Sequence, residues 1–246
     1  VGKVGNDVFG NELLGILRKE AIDVSGVQEF SEDSGTAFIT VFEETSQNQI
    51  IVISGANAFV KSDQVTKQTL ASSKILIAQL ETPSGETEKL FKRSKEFDCY
   101  RILNTAPVLN LSNSLMNESD LLIMNETELA TLSGDSLSRQ FTSQGLNKSL
   151  EKIPLTNKQS VIVTLGSQGV YVYENKTGTL ISGLDVVTVD TTGSGDCFVG
   201  ALATQYLVHG NLVDAAYFAN KAAALSVTKK GASASMPSLE EVVNLI

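Results

Sequence analysis

Residues 190–203 read DTTGSGDCFVGALA, with the apolar run DVVTVD (185–190) leading in and CFVGALATQYL leading out. The first run reads as a strand and the second as a helix, joined by a turn that Gly193 and Gly195 allow to be tight. Such a turn leaves successive N–H groups pointing outward at the positive end of a helix, which binds anions and suits a phosphoryl group. Asp196 falls in the first turn of that helix. It can cap the helix, where the macrodipole favours a carboxylate. It can equally take the proton of a hydroxyl held beside a bound phosphate while the amides of 193–196 stabilise the transferring charge.

Outward from this stretch the chain alternates. Apolar runs at KILIAQL (74–80), YRILN (100–104), DLLIMN (120–125) and SVIVTLG (160–166) are separated by amphipathic stretches such as SGETEKLFKRSKEF. Near-continuous apolar strands alternating with helices predict a mostly parallel sheet covered on both faces, with the ligand crevice outside the carboxyl ends of the strands. VYVYEN is expected as a further strand, and helices are expected near Asp196, over 212–228 and over 238–246. Toward the start, Asp7 can cap a helix over 8–20 with Phe9, Leu13, Leu14 and Leu17 on one face. AFITVFEE and QIIVIS, divided by the polar TSQN, read as a β-hairpin over about 36–54, either a small lid or an edge of the main sheet.

The 246 residues, 42% of them hydrophobic, suffice for one large core, so one domain over 1–246 is the expectation. A net charge of −9 without a basic run argues against nucleic acid and for a small-molecule substrate. There is no membrane-length apolar stretch. Cys99 and Cys197 are too few and too distant for a disulfide framework or metal knuckle, which points to a reducing compartment and excludes a small redox or metal protein. The sequons at Asn110, Asn117, Asn125, Asn147 and Asn175 read as chance. His209, the only histidine, reads as the end of a helix before Gly210.

Three further segments have local readings. TLGSQG (164–169) joins two strands, as a plain β-turn or as a loop whose glycines let main-chain amides approach a phosphate or ribose. NETE (125–128) has the spacing of a helix capping box between Asn125 and Glu128. KKGASASMP (229–237) is a helix stop and loop.

DTTGSGD followed by a small-residue helix resembles the C-terminal signature of the ribokinase-like (PfkB) carbohydrate kinases. VGNDVFG (4–10), SGANA (54–58), QLETP (79–83) and LNTAP (103–107) extend the resemblance over essentially the whole chain, with GANA and LNTAP nearest the ribokinase branch. The resemblance implies a three-layer α/β fold with a mostly parallel central sheet and a β-lid, and an ATP-dependent kinase for D-ribose. It implies Asp196 as catalytic base beside the sugar, with Gly193, Ser194 and Gly195 as the anion hole. It assigns Thr164, Leu165, Gly166, Ser167, Gln168 and Gly169 to the nucleotide, with Asn125, Gly195 and Asn220, the last facing adenine. Glu128 is implied for Mg²⁺ through water, and Glu81 for the sugar. Asp190, Thr192, Ser226, Lys229, Gly231 and Ser235 are implied to surround K⁺, several through main-chain oxygens.

The family's first strand, with an aspartate on the sugar hydroxyls, and its GGKG-type segment do not occur within 1–246. Because VGKVGNDVFG opens as the end of a strand entering a helix, the chain reads as a record missing its N-terminal part. The resemblance further implies a homodimer through the lid and a cytoplasmic enzyme, nuclear as well in a eukaryote. A kinase for another sugar or a nucleoside, and a non-catalytic nucleotide-binding relative, are the alternatives.

Overall fold

The computed structural model describes residues 1–42, 47–108, 111–136 and 140–245. They form two compact units, Val1–Ser73 with Gln79–Cys99 and Lys74–Ala78 with Tyr100–Ile246.

In the first unit, β1 (Gly2–Gly5) lies parallel to β2 (Val27–Phe30), with α1 (Val8–Lys19) crossing between them. Asp7 caps α1 as expected, accepting the Gly10 N–H at 2.7 Å. The buried stripe of α1 differs from the expected one. Leu14 is buried, whereas Phe9 and Leu13 are 58% and 46% exposed. The inward partner of Leu14 is Gly10, four residues earlier, where a Cβ would stand 2.2 Å from the Gly5 carbonyl oxygen. A reading weighted by large apolar side chains passes over a glycine chosen for close backbone approach.

The hairpin is present as β3 (Thr36–Phe42) and β4 (Gln47–Ile53), antiparallel from Thr36 opposite Ile53 to Phe42 opposite Gln47. Of the expected TSQN turn, residues 45 and 46 lie outside the described residues, and Gln47 and Asn48 belong to β4 instead. Among the described residues no third strand joins this pair. α2 (Lys67–Ser72) and α3 (Ser84–Ser94) complete the unit, with Phe91 of α3 fully buried.

The second unit carries a six-stranded sheet in the order β10-β9-β8-β7-β6-β5. Its strands are β5 (Ile75–Ala78), β6 (Tyr100–Asn104), β7 (Leu121–Asn125), β8 (Ser160–Thr164), β9 (Gly169–Glu174) and β10 (Thr177–Ser182). β5 through β8 run parallel, and β9 and β10 return antiparallel. Helices α4 (Asn113–Glu118), α5 (Glu126–Ser133), α6 (Ser143–Leu150), α7 (Ser194–His209), α8 (Leu212–Ser226) and α9 (Leu239–Val243) fill the connections. Ile102, Leu121, Ile123, Ile162, Val170 and Val172 pack against Phe198, Leu202, Ala215 and Ala219 of α7 and α8. The alternate residues Leu103, Leu122, Met124, Val161 and Val163 are equally buried and point to the opposite face. Burial on both faces explains why these strands are apolar throughout.

One expected strand is not a strand. DVVTVD runs outside the sheet without regular secondary structure, and the last strand is TGTLIS. The Val189 and Asp190 N–H groups both donate to the Val227 carbonyl beyond α8, at 2.7 and 3.1 Å, and Val187 is 83% exposed. Asn175 and Lys176, at φ 52° and 62°, make the two-residue turn that folds β10 onto β9, the conformation such hairpins favour.

Candidate active site

α7 begins where Gly193 dictates, while Gly195, expected in the same tight turn, lies inside the helix with open space around it. Gly193 takes φ 75° as the residue before the helix, and a Cβ there would meet Ala232 at 3.2 Å, so the 229–237 loop packs directly on the turn. The Ser194 N–H turns back to the Thr191 carbonyl at 3.2 Å, and Cys197 closes the first helical bond onto Gly193 at 2.9 Å. That narrows the expected anion hole. The Ser194 amide is committed within the turn, whereas the amides of Gly195 and Asp196 lie in the first turn of a helix, where no intrahelical acceptor exists. Asp196 is exposed on that turn.

Beside it opens a cavity of about 670 Å³, within the usual range for ligand sites. Seven of the residues expected at a nucleotide line it: Asn125, Thr164, Gly166, Ser167, Gly169, Gly195 and Asn220, with Ser194 of the anion turn. They come from the carboxyl ends of β7 and β8, the turn after β8, and α7 and α8. Two others do not reach it. The Leu165 side chain is buried and its N–H donates to the Gly169 carbonyl, while the Gln168 side chain accepts the Phe141 N–H at 3.3 Å.

Gly169 shows why the turn needs glycine. At φ 106° its Cβ would fall 2.1 Å from the Ile181 carbonyl oxygen. The Asn220 amide donates to the Ser182 carbonyl at 2.9 Å, which leaves its Oδ1 as the group free to accept from a ligand.

Asn125 and Glu128 form the expected capping box of α5, with Glu128 N–H to Asn125 Oδ1 at 2.8 Å and Asn125 N–H to Glu128 Oε2 at 2.9 Å. Thr105, at the end of β6, adds a hydroxyl to Oε2 at 3.2 Å. Burial raises the Glu128 carboxyl above its ordinary range, against the opposing pull of these hydrogen bonds.

The residues expected around a monovalent cation gather at one corner. Asp190 accepts Gly231 N–H on Oδ2 at 2.9 Å, and Thr192 N–H and hydroxyl on Oδ1 at 3.0 and 2.7 Å. These donors, Gly231 first, hold its carboxyl down to about 2. The Lys229 N–H donates to the Ser226 carbonyl, while its ammonium turns away to Glu241 at 2.7 Å. The Ser226 and Ser235 hydroxyls close locally on the carbonyls of Ala223 and Ala232. Glu81 belongs to the other unit, where it is exposed beside Gln79.

Sequence reasoning passed over Glu126, Asp185, Val186, Thr188, Thr191 and Phe198, which also line the cavity. Glu126 and Thr191 lie inside NETE and DTTGSGD, and the one signal for the others was closeness in sequence to DTTGSGD. Among the described residues no lysine or arginine lines this cavity, and the two ionisable residues that do, Glu126 and Asp185, are both acidic. A polyphosphate there depends on main-chain amides and an accompanying cation. A second cavity, about 380 Å³ between α5 and α6, shares Glu126 and none of the expected site residues.

Comparison with known proteins adds to this geometry. The pfkB family carbohydrate kinase profile matches residues 1–239. A ribokinase of Schizosaccharomyces pombe is 35% identical over 251 residues, covering 98% of this chain and 77% of that protein. The crystal structure of a Thermotoga maritima ribokinase aligns with a TM-score of 0.85 at 35% identity, over 99% of this chain and 79% of the other. An Arabidopsis thaliana ribokinase solved with ribose and ATP aligns at 0.83 and 27% identity, over 100% and 80%.

Proposed function

This chain belongs to the pfkB family of carbohydrate kinases, and from that premise we propose that it transfers the γ-phosphoryl group of ATP to the 5-hydroxyl of D-ribose. The observation that carries the reading is the start of α7, where Gly193 turns the chain so that Ser194 and Gly195 line the 670 Å³ cavity and exposed Asp196 is the next residue of the same helical turn. Asp196 takes the proton of the 5-hydroxyl as its oxygen bonds to the γ-phosphorus. The bond to the bridging oxygen breaks, and ADP leaves with that electron pair. The Gly195 and Asp196 amides and the positive end of the helix meet the charge that develops on the transferring group. Thr164, Gly166, Ser167 and Gly169 hold the nucleotide by main-chain approach, and Asn220 Oδ1 accepts from the base.

Mg²⁺ fits a cavity whose described lining includes the Glu126 and Asp185 carboxylates and no basic side chain; Glu128 does not line it but is bonded to Asn125, which does. Glu128 and Asn125 would hold it through water, since the Glu128 oxygens are already engaged by Asn125 and Thr105. Its chemistry there is to shield phosphate charge. K⁺ fits the Asp190 corner, whose carboxylate, hydroxyl and main-chain oxygens are the donors a hard cation takes. Asp190, Thr192, Ser226, Lys229, Gly231 and Ser235 would hold it, and it would supply positive charge beside the anion turn. Glu81 is assigned to the sugar, and β3–β4 to a lid over the sugar that also pairs with a second copy, because a two-stranded sheet leaves open edges. Both cysteines are buried thiols, which agrees with a cytoplasmic enzyme. Among the described residues no helix is long and apolar enough to cross a membrane.

The test is ADP release with Mg²⁺-ATP and K⁺, with and without D-ribose, for this chain and Asp196→Asn. Removing a general base should lower kcat by about 10²–10⁴ and leave ATP binding in place. Ribose-independent release, or release that survives the substitution, overturns the assignment. Turnover only with 2-deoxyribose, fructose or adenosine would mark another acceptor, and ATP binding without turnover on any acceptor would mark a non-catalytic relative.

A further inference from the structure

The VGND stretch carries no role in the reaction above, yet Asp7 makes more bonds than a helix cap needs. Its Oδ1 accepts the Gly10 N–H at 2.7 Å, which is the cap of α1. The same oxygen accepts the Ser34 hydroxyl at 2.8 Å, and Oδ2 accepts the Ser34 N–H at 2.6 Å, from 27 residues away. The Ser34 hydroxyl oxygen in turn accepts the Gly5 N–H at 2.9 Å. Ser34 is 3% exposed and lies two residues before β3.

The other end of the hairpin meets the same point. The Asp33 carbonyl accepts the Ala56 N–H at 2.8 Å, three residues past β4. The backbones are in closest approach: a Cβ on Gly5 would stand 2.3 Å from the Ser34 nitrogen, one on Gly55 2.3 Å from the Asp33 oxygen, and one on Gly35 2.5 Å from the Asn57 side chain. A two-stranded hairpin is marginal by itself in water, and among the described residues no third strand supports this one. Its order must come largely from its root.

We propose that Asp7 is a positioning residue that clamps both ends of the β3–β4 hairpin to the turn between β1 and α1, so that the hairpin acts as one stiff lid on the sugar. The link to the sugar rests on the lid role proposed above, whereas the clamp itself rests only on this geometry. The donors around Asp7, Ser34 first, hold its carboxyl below the usual range, as expected of an ionised clamp.

The discriminating variant is Asp7→Ser. Serine still caps α1, but its shorter side chain cannot also hold Ser34. Amide hydrogen exchange without substrate is expected to speed up about tenfold over 36–42 and 47–53, with 8–19 staying within about twofold of the parent. Ser34→Ala, which keeps the Ser34 N–H bond, should move the hairpin in the same direction by less, and it decides the matter if Asp7→Ser does not fold. In the ADP-release assay the KM for D-ribose should rise about tenfold, with the KM for ATP within about twofold. Unchanged hairpin exchange overturns the clamp, as does exchange that rises equally in α1 and the hairpin. Faster hairpin exchange with an unmoved ribose KM overturns its link to the sugar. If the parent chain does not phosphorylate ribose, the kinase reading falls while the exchange result still decides the clamp.

Discussion

Glu128 is asked both to cap α5 and to organise Mg²⁺ through water, and two substitutions separate these tasks. Glu128→Ala keeps the Asn125 Oδ1 cap on the N–H of residue 128 but removes the side-chain half of the capping box, leaving the Asn125 N–H without Oε2 at a cost of about 1–3 kcal/mol. It also leaves the buried Thr105 hydroxyl with only the Ile123 carbonyl at 3.4 Å, a loss of about 1 kcal/mol. Relief of a buried charge offsets part of this, so the net cost is about 2 kcal/mol, or roughly 4–8 °C in the melting midpoint for a chain of this size. Glu128→Gln keeps the capping chemistry and one oxygen acceptor, so it should melt within about 4 °C of the parent. Its activity should nonetheless fall about 10–100-fold, with half-saturation by Mg²⁺ moved upward, the usual effect of losing an outer-sphere ligand. Thermal melts and ADP release across a Mg²⁺ series measure both. A Glu128→Gln protein with unchanged Mg²⁺ dependence reduces Glu128 to a cap. The pH dependence gives a further check. Because burial raises the folded-state value above the ordinary 4.5, the protonated form is favoured in the fold. The stability Glu128 contributes is therefore fullest below 4.5 and is lost as pH rises through the raised value. The amide introduced by Glu128→Gln does not titrate, so the gap in stability should move in the variant's favour from acid toward neutral pH.

Asp190→Asn should raise the K⁺ concentration for half-activation about tenfold, as read from ADP release in a K⁺ series. Since the Asp190 carboxyl is held at about 2, its stabilising share is present above the ordinary 3.8 and lost as pH falls from there to about 2; acid melts of parent and variant should converge in that window. Asn220→Ala removes both the bond to Ser182 and the acceptor facing the cavity, so ATP should bind about tenfold more weakly and preference over GTP should shrink, measured by competition with a fluorescent nucleotide. Gly169→Ala forces a Cβ toward the Ile181 carbonyl at φ 106° and should cost about 1–3 kcal/mol or more, seen as a lowered midpoint in denaturant.

The local chemistry of this protein was legible in its sequence wherever a short segment carries its own physics. Asn125 and Glu128 cap α5 because the groups that bond are three residues apart. Gly193 starts α7 because its φ of 75° suits glycine, whereas Gly195 lies within the helix with open space around it, and the apolar runs of β6, β7 and β8 are strands because both their faces are buried. The tertiary structure decided what depends on distant partners. DVVTVD has the composition of a strand, but it pairs with no strand, and its Val189 and Asp190 N–H groups go to the Val227 carbonyl. TGTLIS, with a weak pattern, becomes the edge strand because Asn175 and Lys176 fold it back on β9. Gly10 rather than Phe9 or Leu13 faces inward on α1, since the Gly5 carbonyl lies against it. Asp7 reads as a cap from its neighbours alone, and its hold on Ser34 exists only because the fold brings residues 27 apart into one hydrogen-bonded corner. Bonds within a turn of chain follow from spacing, while those between elements follow from which backbones the core allows to touch.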